Sequence, residues 1–117
     1  MKKVFVPICL FLLVSGANAS SSPSFDAKAA NALAVKSGCM SCHKQDKKVV
    51  GPSFNDIATR YAKESRPTSL AAKFIKEGGK GGWGPIPMPP NKKLTEAESL
   101  LLAELVTGTA APASTPK

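Results

Sequence analysis

The sequence predicts an all-α domain of about four helices, and three observations carry that expectation. Four stretches repeat apolar residues at helical spacing, glycines or capping residues bound most of them, and no alternating or β-branched run reads as a strand. A short loop rich in sulfur and nitrogen donors sits between the first two stretches, and a long Gly/Pro-rich loop separates the last two.

The N-terminus is set apart from this pattern. Lys2 and Lys3 precede "VFVPICLFLLV", an apolar run of about eleven residues, shorter than the ~20 that a bilayer span takes. "ANA" at 17–19 supplies small residues for cleavage, so residues 1–19 read as a secretory signal peptide cut after Ala19. An uncleaved anchor is the competing reading, and Pro7 interrupts the run that would form it. Cys9 leaves with the peptide. One small domain over 20–108 then remains, followed by a Pro/Ala/Ser/Thr-rich tail, 109–117, expected to be disordered.

Within the domain the first helix is read over Phe25 to Ser37, with Ala30, Leu33 and Ala34 on one face and Gly38 as its stop. "PSFNDIATRYAKES" follows the basic loop Lys44 to Lys48 and places Phe54, Ile57, Ala58 and Tyr61 on one face. "PTSLAAKFIKEGG" gives a third helix, with Thr68 able to cap, Leu70, Phe74 and Ile75 apolar, and Gly78 and Gly79 at its end. The fourth opens on Thr95 with Glu98 three residues later, a capping box, and closes at Gly108. The loop from Gly79 to Lys93 is long enough to be either functional or disordered, and its start, "GGKGG", reads as flexible.

Chemistry concentrates in "KSGCMSCHKQ". Without Cys9 the chain keeps two cysteines and its single histidine, all within 39–43. A dithiol redox pair expects a βαβ setting, which is missing. A zinc site needs a fourth ligand or an open position with supporting carboxylates, and no second Cys pair or His supplies one. A structural disulfide suits a small exported domain but leaves His43 unexplained. Covalent attachment of a c-type haem uses all three residues: Cys39 and Cys42 each add to a vinyl group, and His43, next in sequence, is brought to the iron.

The opposite side of the iron separates a carrier from a catalyst. Besides Met1, the methionines are Met40, between the cysteines, and Met88, in "GPIPMPPN". Met88 is selected by elimination, and Pro85, Pro87, Pro89 and Pro90 restrict the backbone around it. A core-filling or exposed methionine is the ordinary alternative. His/Met is a standard pair in haem electron carriers.

From about Leu33 to Val106 the chain resembles the small bacterial class I cytochromes c of the cytochrome c-551 type, most densely in "KSGCMSCH", "VGPSFNDIATRYA" and "GGWGPIPMPPN". The resemblance implies the small class I cytochrome c fold wrapped around one haem, with His43 and Met88 bracketing the iron. It implies that Pro52 offers its carbonyl to the histidine Nδ1, that Trp83 donates its indole N–H to a haem propionate, and that Asn91 hydrogen-bonds near the methionine sulfur. Trp83 can equally be a packed aromatic, and both can hold. Family members often carry an arginine or histidine in the third helix toward the inner propionate. This chain has Lys73 and Phe74 there, so no propionate partner is assigned from that helix.

The 16 Lys+Arg and 8 Asp+Glu of the full chain give a net charge of +8, near +6 once Lys2 and Lys3 leave. An exported basic protein points away from nucleic acid and toward acidic protein faces or anionic membrane surfaces. Lys44, Lys47, Lys48, Lys80, Lys92 and Lys93 flank the haem motif and the Met88 loop, although lysine runs are often no more than solvated surface. The expectation is a soluble, monomeric, periplasmic electron carrier rather than an enzyme, with no membrane span after cleavage. Its redox partners would bear acidic docking faces, and the resemblance suggests a nitrite reductase or terminal oxidase. The rival reading is a peroxidase-like haem enzyme or gas sensor with an open sixth position, for which the chain has no spare histidine. A haem-bearing docking module of a larger complex is a third reading.

Overall fold

Four helices form where the apolar periodicity places them in this computed structural model, which describes residues 25–108. The signal-peptide reading over 1–19 and the tail reading over 109–117 lie outside the described residues. Helix α1 spans Ala27–Lys36, α2 Phe54–Lys63, α3 Thr68–Glu77 and α4 Glu96–Thr107. A single 3₁₀ turn, Cys39–Ser41, follows α1, and no strand occurs among the described residues.

Local chemistry sets each boundary. Asp26 accepts a hydrogen bond from the Ala29 N–H at 3.0 Å and starts α1 two residues into the expected segment. Gly38, at φ 76°, ends it in the left-handed conformation that turns the chain into Cys39. Ser53 caps α2 through the Asp56 N–H. In α3 the expected cap is displaced by one residue. Pro67, at φ −71° and ψ 143°, already supplies the extended conformation of an N-cap, so Thr68 becomes the first helical residue, and no side chain caps the helix. The capping box of α4 forms as expected: Thr95 Oγ1 accepts from the Glu98 N–H at 3.1 Å, and Glu98 Oε2 accepts from the Thr95 N–H at 2.8 Å.

Helix α4 is the element on which the other three pack. Leu102 is 1% exposed and meets a cluster that includes Ala34, Tyr61, Ala71, Ala72, Ile75 and Val106; burying a leucine this fully contributes about 1.5–3 kcal/mol. Small residues dominate the contacts of α1 and α3, which lets those helices approach α4 closely. The buried hydroxyls of α4 are satisfied within its own turns, Ser99 donating to Thr95 O and Thr107 to Ala103 O. Phe74 lies outside this core and is 39% exposed, because Ala71, Ala72 and Ile75 take the face toward α4.

The long loop is not loose at its start. Gly79 N–H donates to Met88 O at 3.0 Å and Met88 N–H to Gly79 O at 2.8 Å, so the first two glycines of "GGKGG" close the loop rather than lend it freedom. Gly78 has φ 75°, and a Cβ there would lie 2.6 Å from the Met88 oxygen. The crossing requires glycine.

The α4 cap yields a stability prediction. Thr95→Ala should cost ~1 kcal/mol, a melting temperature ~4–8 °C lower by scanning calorimetry. The Thr95 N–H holds the Glu98 carboxyl below its usual range. Its contribution is therefore complete above the ordinary glutamate value of about 4.3 and is lost as pH falls through the lowered folded value. The melting difference between wild type and Glu98→Gln should narrow below that range.

Candidate haem site

His43 is positioned by the chain that follows it. The first amides of any helix lack intrahelical partners, and here the Phe54 N–H donates to Lys44 O at 2.9 Å and the Asn55 N–H to Gln45 O at 3.0 Å. The segment immediately after His43 is thereby fastened to the start of α2. Gly51 N–H donates to Cys42 O at 2.8 Å, closing the intervening loop over the imidazole. A Cβ on Gly51 would fall 2.5 Å from His43 Cε1, so only glycine lets the loop pass. The ring stacks on Phe54 with centroids 5.7 Å apart and is 9% exposed.

His43 Nδ1 lies 2.6 Å from Pro52 O. A carbonyl oxygen can only accept, so Nδ1 carries a proton, and Nε2 is the nitrogen that bears the lone pair in the neutral ring. Among the described residues Nε2 has no hydrogen-bond partner, and the ring borders an apolar cavity lined also by Cys39, Cys42, Tyr61, Ile75 and Met88. A second opening, on the side of Lys36, Lys92 and Lys93, shares Cys39, Cys42, His43 and Met88 with it. The shared residues make the two cavities adjoining parts of one slot.

The thiols are free, and burial pushes the Cys39 thiol up. A reactive redox dithiol carries a lowered thiol instead. No three His, Cys, Asp or Glu side chains converge on a metal position among the described residues, which leaves the zinc reading without a donor set. What the slot offers is two thiols, one imidazole, one thioether and apolar walls. These residues fit a covalently held haem.

The other expected site residues fall around the same slot. Trp83 lines the cavity but is 38% exposed, so it is not a core aromatic; the Arg60 guanidinium lies 4.5 Å from its ring centroid and donates to Gly82 O. Asn91 lines the second opening, its N–H donating to Ile75 O at 3.2 Å and its Nδ2 facing Ser37 O at 3.4 Å. Lys44, one of the lysines flanking the motif, donates to Met40 O at 3.0 Å. Sequence reasoning missed Gly51, for which the Gly–Pro pair was the available signal. It also missed Arg60, Glu64 and Arg66, where Glu64 binds both arginines and is held below the usual carboxylate range, first by the hydrogen bond from Arg60. The i,i+4 spacing of Arg60 and Glu64 was legible; the return of Arg66 was not.

The cytochrome c family model matches residues 27–108. The chain belongs to the cytochrome c family. It is 48% identical over 75 residues to cytochrome c-552 of Nitrosomonas europaea, covering 63% of this chain and 72% of the relative. It is 39% identical over 106 residues to cytochrome c-551 of Stutzerimonas stutzeri, covering 91% and 96%. Among solved structures, wild-type Nitrosomonas europaea cytochrome c552 superposes with a TM-score of 0.63 at 41% identity, over 67% of this chain and 96% of that one.

A cytochrome c of this kind carries covalently attached haem c with its iron, and it transfers electrons rather than catalysing a reaction. The described helices include none long and apolar enough to cross a membrane. Cys39→Ala combined with Cys42→Ala should abolish stable holoprotein, since a core this small depends on the group that fills its slot. Acid-acetone extraction of the wild type should leave haem on the polypeptide; haem recovered in the acetone phase would contradict thioether attachment.

Proposed function

We propose that this cytochrome shuttles single electrons through the periplasm, with His43 and Met88 as the two side chains that would hold its haem iron. The observation that carries this reading is that both side chains border one apolar slot together with the two thiols. Bound haem supplies the redox chemistry, an iron that alternates between Fe(III) and Fe(II). The chain's own residues decide how easily and with whom.

Pro52 fixes the His43 tautomer and, by accepting the Nδ1 proton, makes Nε2 the stronger donor. The paired hydrogen bonds between Gly79 and Met88 hold the thioether on the other side of the slot. A thioether favours reduced iron and the apolar walls disfavour the extra charge of Fe(III), so the potential sits above that of a bis-histidine haem. With haem bound, Trp83 would donate its indole N–H to a propionate, and Asn91 steadies the Met88 loop from its far end. Peroxidase or gas-sensor chemistry would require a distal acid or base, and the single histidine is already engaged with Pro52.

Delivery through the signal peptide over 1–19 places the carrier between membranes, and a net charge near +6 suits acidic docking faces. Lys92 and Lys93 border the slot's second opening beside the thiols and Lys80 borders the first, while Lys47 and Lys48 are exposed on the neighbouring loop. A terminal reductase such as nitrite reductase, or a terminal oxidase, is the acceptor class, with electrons arriving from a quinol-oxidising chain.

Met88→Ala should lower the reduction potential, abolish the sulfur–iron charge-transfer band of the ferric protein and admit cyanide or carbon monoxide. An unchanged potential together with an unchanged band would remove Met88 from the iron.

Steering gives a separate prediction. Raising salt from 0.01 M to 0.15 M shortens the screening length from ~30 Å to ~8 Å, and stopped-flow electron transfer to an acidic partner should slow by on the order of tenfold or more. Lys48→Glu and Lys92→Glu should each slow association at low salt with the potential nearly unchanged. Lys28→Glu, exposed on α1, should matter less. Equal sensitivity to all three reversals, or rates flat in salt, would assign docking to apolar contacts.

A further inference from the structure

Helix α2 ends with an arginine where an apolar residue is customary. The Ser65 N–H donates to Ala62 O at 3.3 Å and the Arg66 N–H to Tyr61 O at 2.9 Å, the two bonds of a Schellman motif. The left-handed position of that motif normally takes glycine, yet Ser65 occupies it at φ 49°, a conformation that a side chain disfavours. The motif also normally brings a hydrophobic residue back against the helix. Here the contact is the Arg66 guanidinium, 5.9 Å from the Tyr61 ring centroid.

The guanidinium is held on one edge only. Its Nε donates to Glu64 Oε2, while Arg60 occupies Oε1 of the same carboxylate. The two Nη groups have no partner among the described residues, and both Arg66 and Tyr61 line the apolar slot on the Trp83 side. The other basic residue on this side of the slot is Lys80, exposed on the loop and without an ion pair among the described residues. Helix α3 contributes Phe74 to this wall rather than a charge.

We propose that Arg66 is the counter-charge of a haem propionate in this chain, its two Nη groups presented to the carboxylate while Glu64 holds Nε and Tyr61 supports the guanidinium face. The inference rests on the haem-carrier reading above. A carboxylate brought against apolar walls loses hydration and needs a charged donor. The planar guanidinium serves two carboxylates at once, one on each edge, which an ammonium group does not reproduce. Serine in the left-handed position is tolerated because the turn delivers that contact.

The test uses the holoprotein. In wild type labelled with ¹⁵N-arginine, the Arg66 Nη protons should exchange slowly and show through-space contact with propionate methylene protons; fast exchange without that contact overturns the proposal. Arg66→Gln should lower the reduction potential, because a balancing positive charge is lost, and should shift the infrared carboxylate band of ¹³C-propionate haem. Arg66→Lys should restore most of the potential but not the wild-type band. Lys80→Gln should leave the band in place. Equal potential shifts in Arg66→Gln and Lys80→Gln with an unmoved band would make Arg66 an ordinary surface charge. The wild-type NMR measurement stands even if Arg66→Gln fails to fold. Loss of the sulfur–iron band in wild type would sink the Met88 assignment, whereas an intact band with an unmoved carboxylate stretch would sink this inference alone.

Discussion

The hydrogen bond from His43 Nδ1 to the Pro52 carbonyl, 2.6 Å long, is the contact around which the rest of the site is arranged. Because the acceptor cannot donate, one bond settles which nitrogen of the neutral ring carries the proton and which bears the lone pair. It holds only if the loop between residues 44 and 52 closes tightly. That closure is secured by the otherwise unpaired amides at the start of α2, which take the carbonyls of Lys44 and Gln45, and by the missing side chain at Gly51. The motif and the helix after it are in effect one unit.

The second wall is fastened by other means. Met88 shares two backbone hydrogen bonds with Gly79, Asn91 reaches the end of α3, and Lys76 pairs with Glu96 between α3 and α4. The prolines around Met88 cannot contribute amide donors, so the loop depends on these few anchors. Arg60 adds one more at Trp83. Such a loop is stiff locally and attached at few points, which suits a wall that must sit close to a bound cofactor without a core of its own.

Both openings of the slot are bordered by basic residues, Arg66 and Lys80 on one side and Lys36, Lys92 and Lys93 on the other. The two sets have different surroundings. Arg66 is engaged with Glu64 and Tyr61, whereas Lys92 and Lys93 are exposed and have no ion pair among the described residues. The first arrangement suits a fixed internal charge and the second suits a transient partner.

The sequence by itself determined the helices and the donor set. Apolar spacing fixed the faces of α2 and α4, Thr95 and Glu98 fixed the start of α4, and Cys39, Cys42 and His43 were adjacent enough for their chemistry to be read without coordinates. These are local properties, set by neighbours within one or two turns. Tertiary structure alone decided the rest: that Phe74 faces the slot while Ala71, Ala72 and Ile75 face α4, that Arg60 meets Trp83, and that Asn91 is tied to Ile75. Each depends on where a chain bends after a helix ends or on which helix claims a shared face. Such outcomes follow from competition for space around α4 and the slot, and no residue's identity or spacing carries that information in advance.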